Sequence, residues 1–307
     1  MARTRIPPLA GGLAAAVAVA LAAACWVVFP PEVAGRASAA RPDVDLPLPW
    51  PAGGQASAEV QGLGSLGSRG EQQPVPIASV TKVMTAYVVL KDHPLADGEA
   101  GPEITVDDQA EAESTSSEES TAPVRAGRRI SERDLLALML VPSGNNVARL
   151  LARWDAGSQD AFVAKMNREA AALGMTSTTY TGASGVEDST TSTAADQLRL
   201  AREVMKNGVI RSIVGTASLR VDGVPGAVVN TNTLLGRNGV IGLKTGSSTA
   251  AGGALMWAAQ ARGGALILGV VLHQSPGGSP AAGLRAALDN SEKLITAIQR
   301  ELPAATR

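Results

Sequence analysis

The sequence predicts an α+β fold, because its helical patterns lie in the middle of the chain and its strand patterns lie mostly near the end. Helical periodicity runs through residues 80–208, and three short apolar runs interrupted by glycine follow within residues 240–272. One earlier apolar run, residues 58–63, is a candidate strand. A sheet assembled from both ends of a chain around a helical insert has this arrangement.

The N-terminal segment, residues 1–29, is the first element. Arg3 and Arg5 precede an uncharged run from Leu9 to Phe29, which is about the length that crosses a bilayer. The two arginines favour a cytoplasmic N-terminus, with the rest of the chain exported. We interpret the segment as a membrane anchor or a signal segment, with an uncleaved anchor favoured over a cleaved signal or a lipoprotein.

Residues 30–57 follow, and they are rich in Pro, Ala and Gly without a periodic apolar pattern. Such composition is typical of a linker or stalk. We therefore expect the folded domain to occupy residues 58–303. Within it, the segment from Glu111 to Thr121 contains only Ser, Thr, Glu and Ala, which favours a solvated loop.

Start and stop signals define the helices. An apolar run from Val80 to Leu90 predicts the first helix, and a capping box at Ser131 predicts the second, which must stop near Pro142. Glycines and capping residues bound the later helices. The remaining helices are expected at residues 145–154, 158–173, 193–208 and 281–302, and the late strands at 240–243, 254–259 and 265–272.

Composition excludes several classes of function. A net charge of −1 and a pI of about 6.2 give no electrostatic basis for nucleic-acid binding. Cys25 is the only cysteine, so no intrachain disulfide can form, and with only two histidines a zinc site is not expected. We expect neither a metal nor a cofactor, and the scarcity of histidine argues against a Ser-His-Asp triad.

The first motif is S-x-x-K, formed by Ser79 and Lys82. Residues three apart on a helix share one face, so the hydroxyl and the amine can meet. A serine needs an adjacent base to become a nucleophile, and a lysine can be that base only if burial or a nearby cation lowers its pKa. Lys82 is the only charge in its apolar helix, which favours burial. We therefore predict that Ser79 is a nucleophile and that Lys82 is its base.

The second motif is S-x-N at Ser143 and Asn145, directly before a predicted helix. Alone, such a tripeptide is also typical of helix capping. As part of a catalytic set, Ser143 can relay a proton between Lys82 and a leaving amine, and Asn145 can hold both Lys82 and a substrate amide.

The third motif is K-T-G at Lys244, Thr245 and Gly246, at the end of a predicted strand. A strand edge can pair with an extended peptide, and glycine allows a close backbone approach. We expect Lys244 and Thr245 to bind a terminal carboxylate. The amides of Ser79 and Ser247 are the expected oxyanion hole.

In this order, the three motifs match the S-x-x-K, S-x-N and K-T-G set of penicillin-reactive serine enzymes. The likeness extends from about Pro76 to Leu272 and is dense in residues 76–86, 134–146 and 230–246. The chain resembles the serine-type D-alanyl-D-alanine carboxypeptidases, which are low-molecular-mass penicillin-binding proteins. The resemblance implies a β-lactamase-like fold: an antiparallel sheet flanked by helices, with a helical lobe that carries the S-x-N motif.

The resemblance also implies a reaction, its partners and a location. Ser79 would attack the terminal D-Ala-D-Ala bond of a peptidoglycan stem peptide, release D-alanine and leave an acyl-enzyme for water to hydrolyse. β-Lactam antibiotics would be covalent inhibitors of the same serine. Such an enzyme acts at the extracytoplasmic face of the bacterial cell membrane, either anchored through its N-terminal segment or secreted.

Two positions depart from the family pattern, because Asn146 stands where aspartate is usual and Ser248 where threonine is usual. Arg285 is a candidate second carboxylate ligand, although an ordinary helix arginine is favoured there.

One alternative function is a class A-like β-lactamase, which needs a deacylating glutamate, and Glu187 is the candidate. A catalytically silent cell-wall-binding protein is the other, and a transpeptidase with an amine acceptor would carry the same motifs.

Overall fold

The computed structural model describes residues 46–302. The predicted membrane anchor or signal segment, residues 1–29, lies outside this range. Among the helices of residues 46–302, none is both long enough and apolar enough to cross a membrane.

The bounds of the elements are as follows. The strands are β1 (Gln55–Val60), β2 (Gly64–Arg69), β3 (Val75–Pro76), β4 (Glu103–Thr105), β5 (Arg129–Ser131), β6 (Thr191–Ser192), β7 (Ser218–Leu219), β8 (Val228–Val229), β9 (Val240–Ser248), β10 (Gly252–Gln260) and β11 (Leu266–Gln274). The helices are α1 (Lys82–Asp92), α2 (Asp108–Glu113), α3 (Glu132–Leu140), α4 (Asn145–Ala156), α5 (Gln159–Ala172), α6 (Ala194–Val204), α7 (Gly208–Val214) and α8 (Pro280–Glu301), with a short 3-10 helix at Ala78–Thr81 before α1.

One antiparallel sheet of five strands has the order β2–β1–β11–β10–β9. β1, from the start of the domain, pairs along its length with β11, from near its end. Helices α1 to α7 lie between β2 and β9 in sequence, so they form the insert that separates the two halves of the sheet. The predicted α+β fold is therefore confirmed. All three late strands are present, but β9 continues to Ser248, beyond the predicted strand at residues 240–243.

β10 shows how the sheet separates two hydrophobic cores. Met256 and Ala258 face the core shared with the helical insert, whereas Leu255 and Trp257 face the core beneath α8. This division follows from the alternation of side chains along a strand. The indole of Trp257 needs a glycine opposite, because a Cβ on Gly269 of β11 would lie 2.1 Å from the ring.

The folded domain begins earlier than predicted. Leu46, Leu48 and Trp50 pack against the core beneath α8, and β1 starts at Gln55 rather than at residue 58. The intervening prolines favour an extended backbone, which lets alternate side chains face the core. Residues 46–57 therefore belong to the folded domain and not to the predicted linker, because their prolines accompany apolar residues at every second position. The rest of the predicted linker, residues 30–45, lies outside the described residues.

Local capping signals locate most of the helical insert correctly. Ser131 caps α3 as predicted, and Ser158 caps α5 at the predicted start of that helix. Each serine accepts a hydrogen bond from a backbone amide in the first turn. The helix after Thr193 is shorter than predicted, since it ends at Val204. Asn207 then accepts a hydrogen bond from the amide of Ile210, so residue 208 begins α7 instead of ending α6.

The segment 111–121 also differs from its prediction as a solvated loop. Its first residues complete α2, and its later residues close against α4 through Glu119 and Ser120. The S-x-N tripeptide lies between α3 and α4, within the helical part of the fold as expected. The sheet edge at β9 contacts the 3-10 helix that precedes α1, which brings the third motif against the first.

Candidate active site

The turn before α1 places Ser79 and Lys82 together. Ala78, just before the serine, has a left-handed backbone conformation with φ of +46°, which is unusual for a residue with a side chain. Lys82 is the first residue of α1, and its Nζ lies 2.7 Å from Ser79 Oγ. The structure therefore brings the two side chains of the S-x-x-K motif into direct contact.

The environment of Lys82 favours an uncharged amine. Its side chain is fully buried, and this burial lowers the pKa of Lys82 well below the usual value of 10.5. The positive charges of Lys244 and Arg149 lower that pKa further, while Glu119 and Glu187 act in the opposite direction. The effects of burial and of the two cations exceed those of the two glutamates, so the pKa is lowered and the amine can accept a proton.

The hydrogen bonds of Lys82 determine which way that amine faces. Besides Ser79, Nζ contacts Asn145 Oδ1 at 2.5 Å and the backbone carbonyl oxygen of Ser184 at 2.7 Å. Both of these oxygens can only accept hydrogen bonds. A neutral amine has two N–H donors and one lone pair, so the donors go to the two oxygens. The lone pair is then left for the hydroxyl proton of Ser79.

The S-x-N residues reach the same centre from the helical lobe. Asn145 begins α4, which directs its side chain to Lys82. Ser143 is buried, and its backbone has a φ of +70°, a second left-handed residue in the site. Its hydroxyl has no hydrogen-bond partner among residues 46–302. A buried hydroxyl without a partner is costly unless a ligand or water pairs with it.

The K-T-G residues lie inside β9 and not at its end, which corrects the prediction. Pairing with β10 continues through Ser248, so the motif is held in a regular strand register. Lys244 is almost fully buried, and this burial lowers its pKa to about 7. Thr245 Oγ1 lies 2.5 Å from Thr231 Oγ1, which ties the strand to the segment before it.

Gly246 explains how closely β9 approaches the serine turn. A Cβ at this position would lie 2.9 Å from the carbonyl oxygen of Ile77 and 3.1 Å from the amide nitrogen of Ser79. Such contacts leave no room for a side chain. The strand therefore brings the half-buried Ser247, the next residue, close to the turn that carries Ser79.

Sequence reasoning missed a charged cluster behind Asn145. Asn145 Nδ2 donates to Glu119 Oε2 at 2.7 Å, and Arg149 pairs with the same carboxylate at 2.5 Å. Arg149 also pairs with Glu113 at 2.8 Å. Arg149 lies one helical turn after Asn145, on the same face of α4, and that spacing was the available signal. The acidic partners could not be found, because they come from the segment interpreted as solvated.

Asn146 departs from the family pattern, and the structure gives it a supporting role. Its amide donates to the carbonyl oxygens of Ala110 and Ala122 and accepts from the amide of Ala122. An aspartate could not donate both of those bonds when ionised. Asn146 therefore fastens α2 and the following loop to α4. Ser248, the other departure, contacts Asp188 only at 3.5 Å.

Two further candidates are not brought into the centre. The carboxylate of Glu187 lies against Gly182, and it forms no hydrogen bond with Ser79 or Lys82. Arg285 lies on the exposed side of α8, beside a cavity of about 320 Å³ that Thr233 also lines. Within residues 46–302, Arg285 has no hydrogen bond or ion pair with the K-T-G residues.

Comparison with known proteins identifies the family of this chain. The model of the D-alanyl-D-alanine carboxypeptidase family matches residues 65–275. A D-alanyl-D-alanine carboxypeptidase of Mycobacterium tuberculosis is 36% identical over 248 residues, which cover 77% of this chain and 81% of that protein. A D-alanyl-D-alanine endopeptidase of Pseudomonas aeruginosa is 42% identical over 161 residues, which are 52% of this chain but only 50% of that protein.

The fold comparison gives the same result. The crystal structure of the Streptomyces K15 DD-transpeptidase matches with a TM-score of 0.69 and 26% identity, covering 79% of this chain and 95% of that one. The family match spans well over half of the chain and contains all three motifs. This chain belongs to the D-alanyl-D-alanine carboxypeptidase family.

Proposed function

We propose that this chain is a serine-type D-alanyl-D-alanine carboxypeptidase that removes the terminal D-alanine from peptidoglycan stem peptides through an acyl-enzyme on Ser79. The observation that carries the proposal is the contact between Ser79 Oγ and the buried amine of Lys82, whose two N–H donors are already engaged. Membership of the family supports the hydrolase reaction.

Acylation begins with proton transfer. Lys82 takes the hydroxyl proton as Ser79 Oγ attacks the carbonyl carbon of the penultimate D-alanine. The negative charge that develops on the carbonyl oxygen is stabilised by the backbone amides of Ser79 and Ser247. The close packing of Gly246 on the serine turn supports this pairing of amides.

Ser143 is the proton relay to the leaving group. As the C–N bond breaks, the proton on Lys82 passes through the Ser143 hydroxyl to the amine of the departing D-alanine. The hydroxyl lacks a protein partner in residues 46–302, so it is free to pair with the substrate. Water then attacks the ester, with Lys82 again accepting the proton, and Ser79 is restored.

Lys244 and Thr245 bind the terminal carboxylate of the substrate. Burial keeps the amine of Lys244 partly uncharged before substrate arrives, and an arriving carboxylate favours its charged form. The extended substrate lies along β9, which is an edge strand of the sheet.

β-Lactam antibiotics are proposed as covalent inhibitors that acylate the same serine. The alternative of a class A-like β-lactamase is not favoured, because Glu187 lies against Gly182 and forms no hydrogen bond with the serine or its base. The alternative of a silent cell-wall-binding protein is not favoured either, since the family assignment and the Ser79–Lys82 contact both support catalysis.

The location follows from the substrate. Peptidoglycan lies outside the cell membrane, and the charge pattern of residues 1–29 favours export of everything after them. We therefore place the enzyme at the extracytoplasmic face of the bacterial cell membrane, anchored by that segment or secreted.

The test is release of free D-alanine from diacetyl-lysyl-D-alanyl-D-alanine by the purified protein. The proposal predicts steady release by the wild type and none above background by Ser79→Ala. A wild type that releases no D-alanine refutes the carboxypeptidase function.

One relative favours a second candidate activity on the same site. The Pseudomonas aeruginosa relative is named an endopeptidase, so cleavage of D-alanyl cross-links inside peptidoglycan is a further candidate. Digestion of dimeric muropeptides, followed by chromatography, separates the two activities. Appearance of monomers supports the endopeptidase, and intact dimers restrict the enzyme to terminal D-alanine.

A further inference from the structure

We propose that Glu119 is a positioning residue for acylation, because it holds the side-chain amide of Asn145 in the one orientation that leaves the lone pair of Lys82 facing Ser79. The inference rests on the proposed acylation of Ser79 and adds a residue that none of the three motifs contains.

The argument begins with the two ends of the Asn145 amide. Its Nδ2 end can only donate and its Oδ1 end can only accept. Glu119 Oε2 lies 2.7 Å from Nδ2, and Lys82 Nζ lies 2.5 Å from Oδ1. An ionised carboxylate is an acceptor only, so it fixes the NH₂ end toward Glu119 and the oxygen toward Lys82.

Arg149 keeps the Glu119 carboxylate ionised. Partial burial by itself would raise the pKa of Glu119, but the hydrogen bonds and the charge of Arg149 lower it below the usual value. One oxygen accepts from Arg149 Nη2 at 2.5 Å, and the other accepts from Nη1 at 3.2 Å. With both oxygens accepting from Arg149, Glu119 is a fixed anion and not a base for water.

Loss of this anion would disable the base on Lys82. If residue 119 presented an N–H to Asn145, the amide would turn its oxygen toward residue 119 and its NH₂ toward Lys82. The lone pair of Lys82 would then accept from Asn145 instead of from the hydroxyl of Ser79. Ser79 would keep its place but lose its base.

Glu119→Gln produces that change without altering size. Arg149 offers only donors and lies nearer to the Oε1 position, at 2.5 Å against 3.2 Å for Oε2. The oxygen of the new amide is therefore expected at the Oε1 position, which leaves its NH₂ at the Oε2 position facing Asn145. Glu119→Asp makes the opposite change, since the side chain is shorter but its carboxylate still only accepts hydrogen bonds. A positioning role therefore predicts that aspartate preserves more activity than glutamine, whereas a space-filling role predicts the reverse order.

Glu113 provides the matched control. Its carboxylate pairs with Arg149 Nε at 2.8 Å, and it has no hydrogen bond to Asn145. Glu113→Gln therefore removes an acidic partner of the same arginine and leaves the Asn145 amide held.

The experiment measures the second-order rate constant for acylation of purified full-length protein by a fluorescent penicillin. We expect Glu119→Gln to lower it at least tenfold, which is part of the contribution of about 10²–10⁴ that a positioned acid–base group makes. Glu119→Asp should lose less, and Glu113→Gln should stay within about threefold of the wild type. Wild type that is not labelled at all refutes the proposed function and not this inference.

Three results overturn the positioning role. One is an acylation rate of Glu119→Gln within about threefold of the wild type. Another is an equal loss in Glu119→Gln and Glu113→Gln, which would assign both residues to neutralising Arg149. The third is a Glu119→Gln protein that fails to fold while Glu113→Gln folds, judged by circular dichroism.

The pH profile of acylation is a second measurement, and a purely packing role of Glu119 would not change it. The charged groups acting on Lys82 are Lys244, Arg149, Glu119 and Glu187, and Glu119 raises the pKa of Lys82. Acylation requires neutral Lys82, so removing the Glu119 charge should move the acid limb of the profile to lower pH. Glu113→Gln should leave the limb in place, and an unmoved limb in Glu119→Gln contradicts the proposal.

Discussion

Lys82 and Lys244 are both buried, yet burial serves their proposed functions in opposite ways. Lys82 needs to be neutral to take the proton of Ser79, so a pKa well below 10.5 activates it at neutral pH. Lys244 needs to be charged to attract a carboxylate, and burial lowers its pKa to about 7. Substrate capture by the free enzyme should therefore weaken as the pH rises through 7.

This difference gives a pH prediction for Lys244→Arg. A guanidinium stays charged to above pH 12, so the fall in kcat/KM on the alkaline side should move to higher pH even if the maximum is lower. The measurement is kcat/KM for D-alanine release between pH 5.5 and 9. Lys206→Arg on the exposed surface is the control, and an alkaline limb that stays near pH 7 in Lys244→Arg would be inconsistent with the proposed role.

β9 and the turn before α1 contact each other through main-chain atoms, and that contact controls the geometry of the cleft. The regular register of β9 on β10 fixes where Gly246 meets the turn. A strand edge and a helix start meet here without an intervening side chain, so the amides of two separate elements can share one oxyanion.

Gly246→Ala tests this contact. The added Cβ would come within 2.9 Å of the Ile77 carbonyl oxygen, so either β9 or the serine turn must shift. We expect the acylation rate with penicillin to fall at least tenfold, at a folding cost of about 1–3 kcal/mol. Gly53→Ala, where a Cβ meets nothing within 4 Å, should change neither quantity. A Gly246→Ala protein that is acylated at the wild-type rate would show that the close approach of β9 to the serine turn does not control acylation.

The sequence predicted the parts of the fold that depend on local signals. The cap at Ser131 lies where it was expected, because a cap is made within one turn. The errors lie where distant contacts decide the structure. Residues 46–50 pack on α8, and Glu119 pairs with Arg149. Neither contact can be predicted from the local composition. The candidate site shows the same division, since the motifs give Ser79, Lys82 and Asn145 but not Glu119 and Arg149, which lie behind Asn145.

Glu132 is a buried carboxyl group that should make the stability of the whole molecule depend on pH. Glu132 begins α3 with no exposed surface, and neither of its oxygens has a hydrogen-bond partner in residues 46–302. Burial, together with the charges of Glu99 and Asp155, raises the pKa of Glu132 to about 7. The pKa of this group in the unfolded chain is 4.5, so folding opposes the ionisation of Glu132 between pH 4.5 and about 7.

The sign of the effect follows from linkage. The folded state holds the Glu132 proton more tightly, so stability falls as the pH rises from about 5 to 8, by on the order of 2–3 kcal/mol from this group. Glu132→Gln should flatten that part of the profile of unfolding free energy, as measured by urea denaturation. The exposed Glu118→Gln should keep the wild-type slope, and an unchanged slope in Glu132→Gln would contradict the assignment.

The central claim is that a neutral Lys82 activates Ser79, and covalent labelling tests it most directly. Wild type and Lys82→Met would be treated with benzylpenicillin at pH 7, digested and analysed by mass spectrometry of the peptide that contains Ser79. We predict a penicilloyl adduct on Ser79 in the wild type and none in Lys82→Met over the same time. An adduct elsewhere, or equal labelling of Ser79 in both proteins, would contradict the claim.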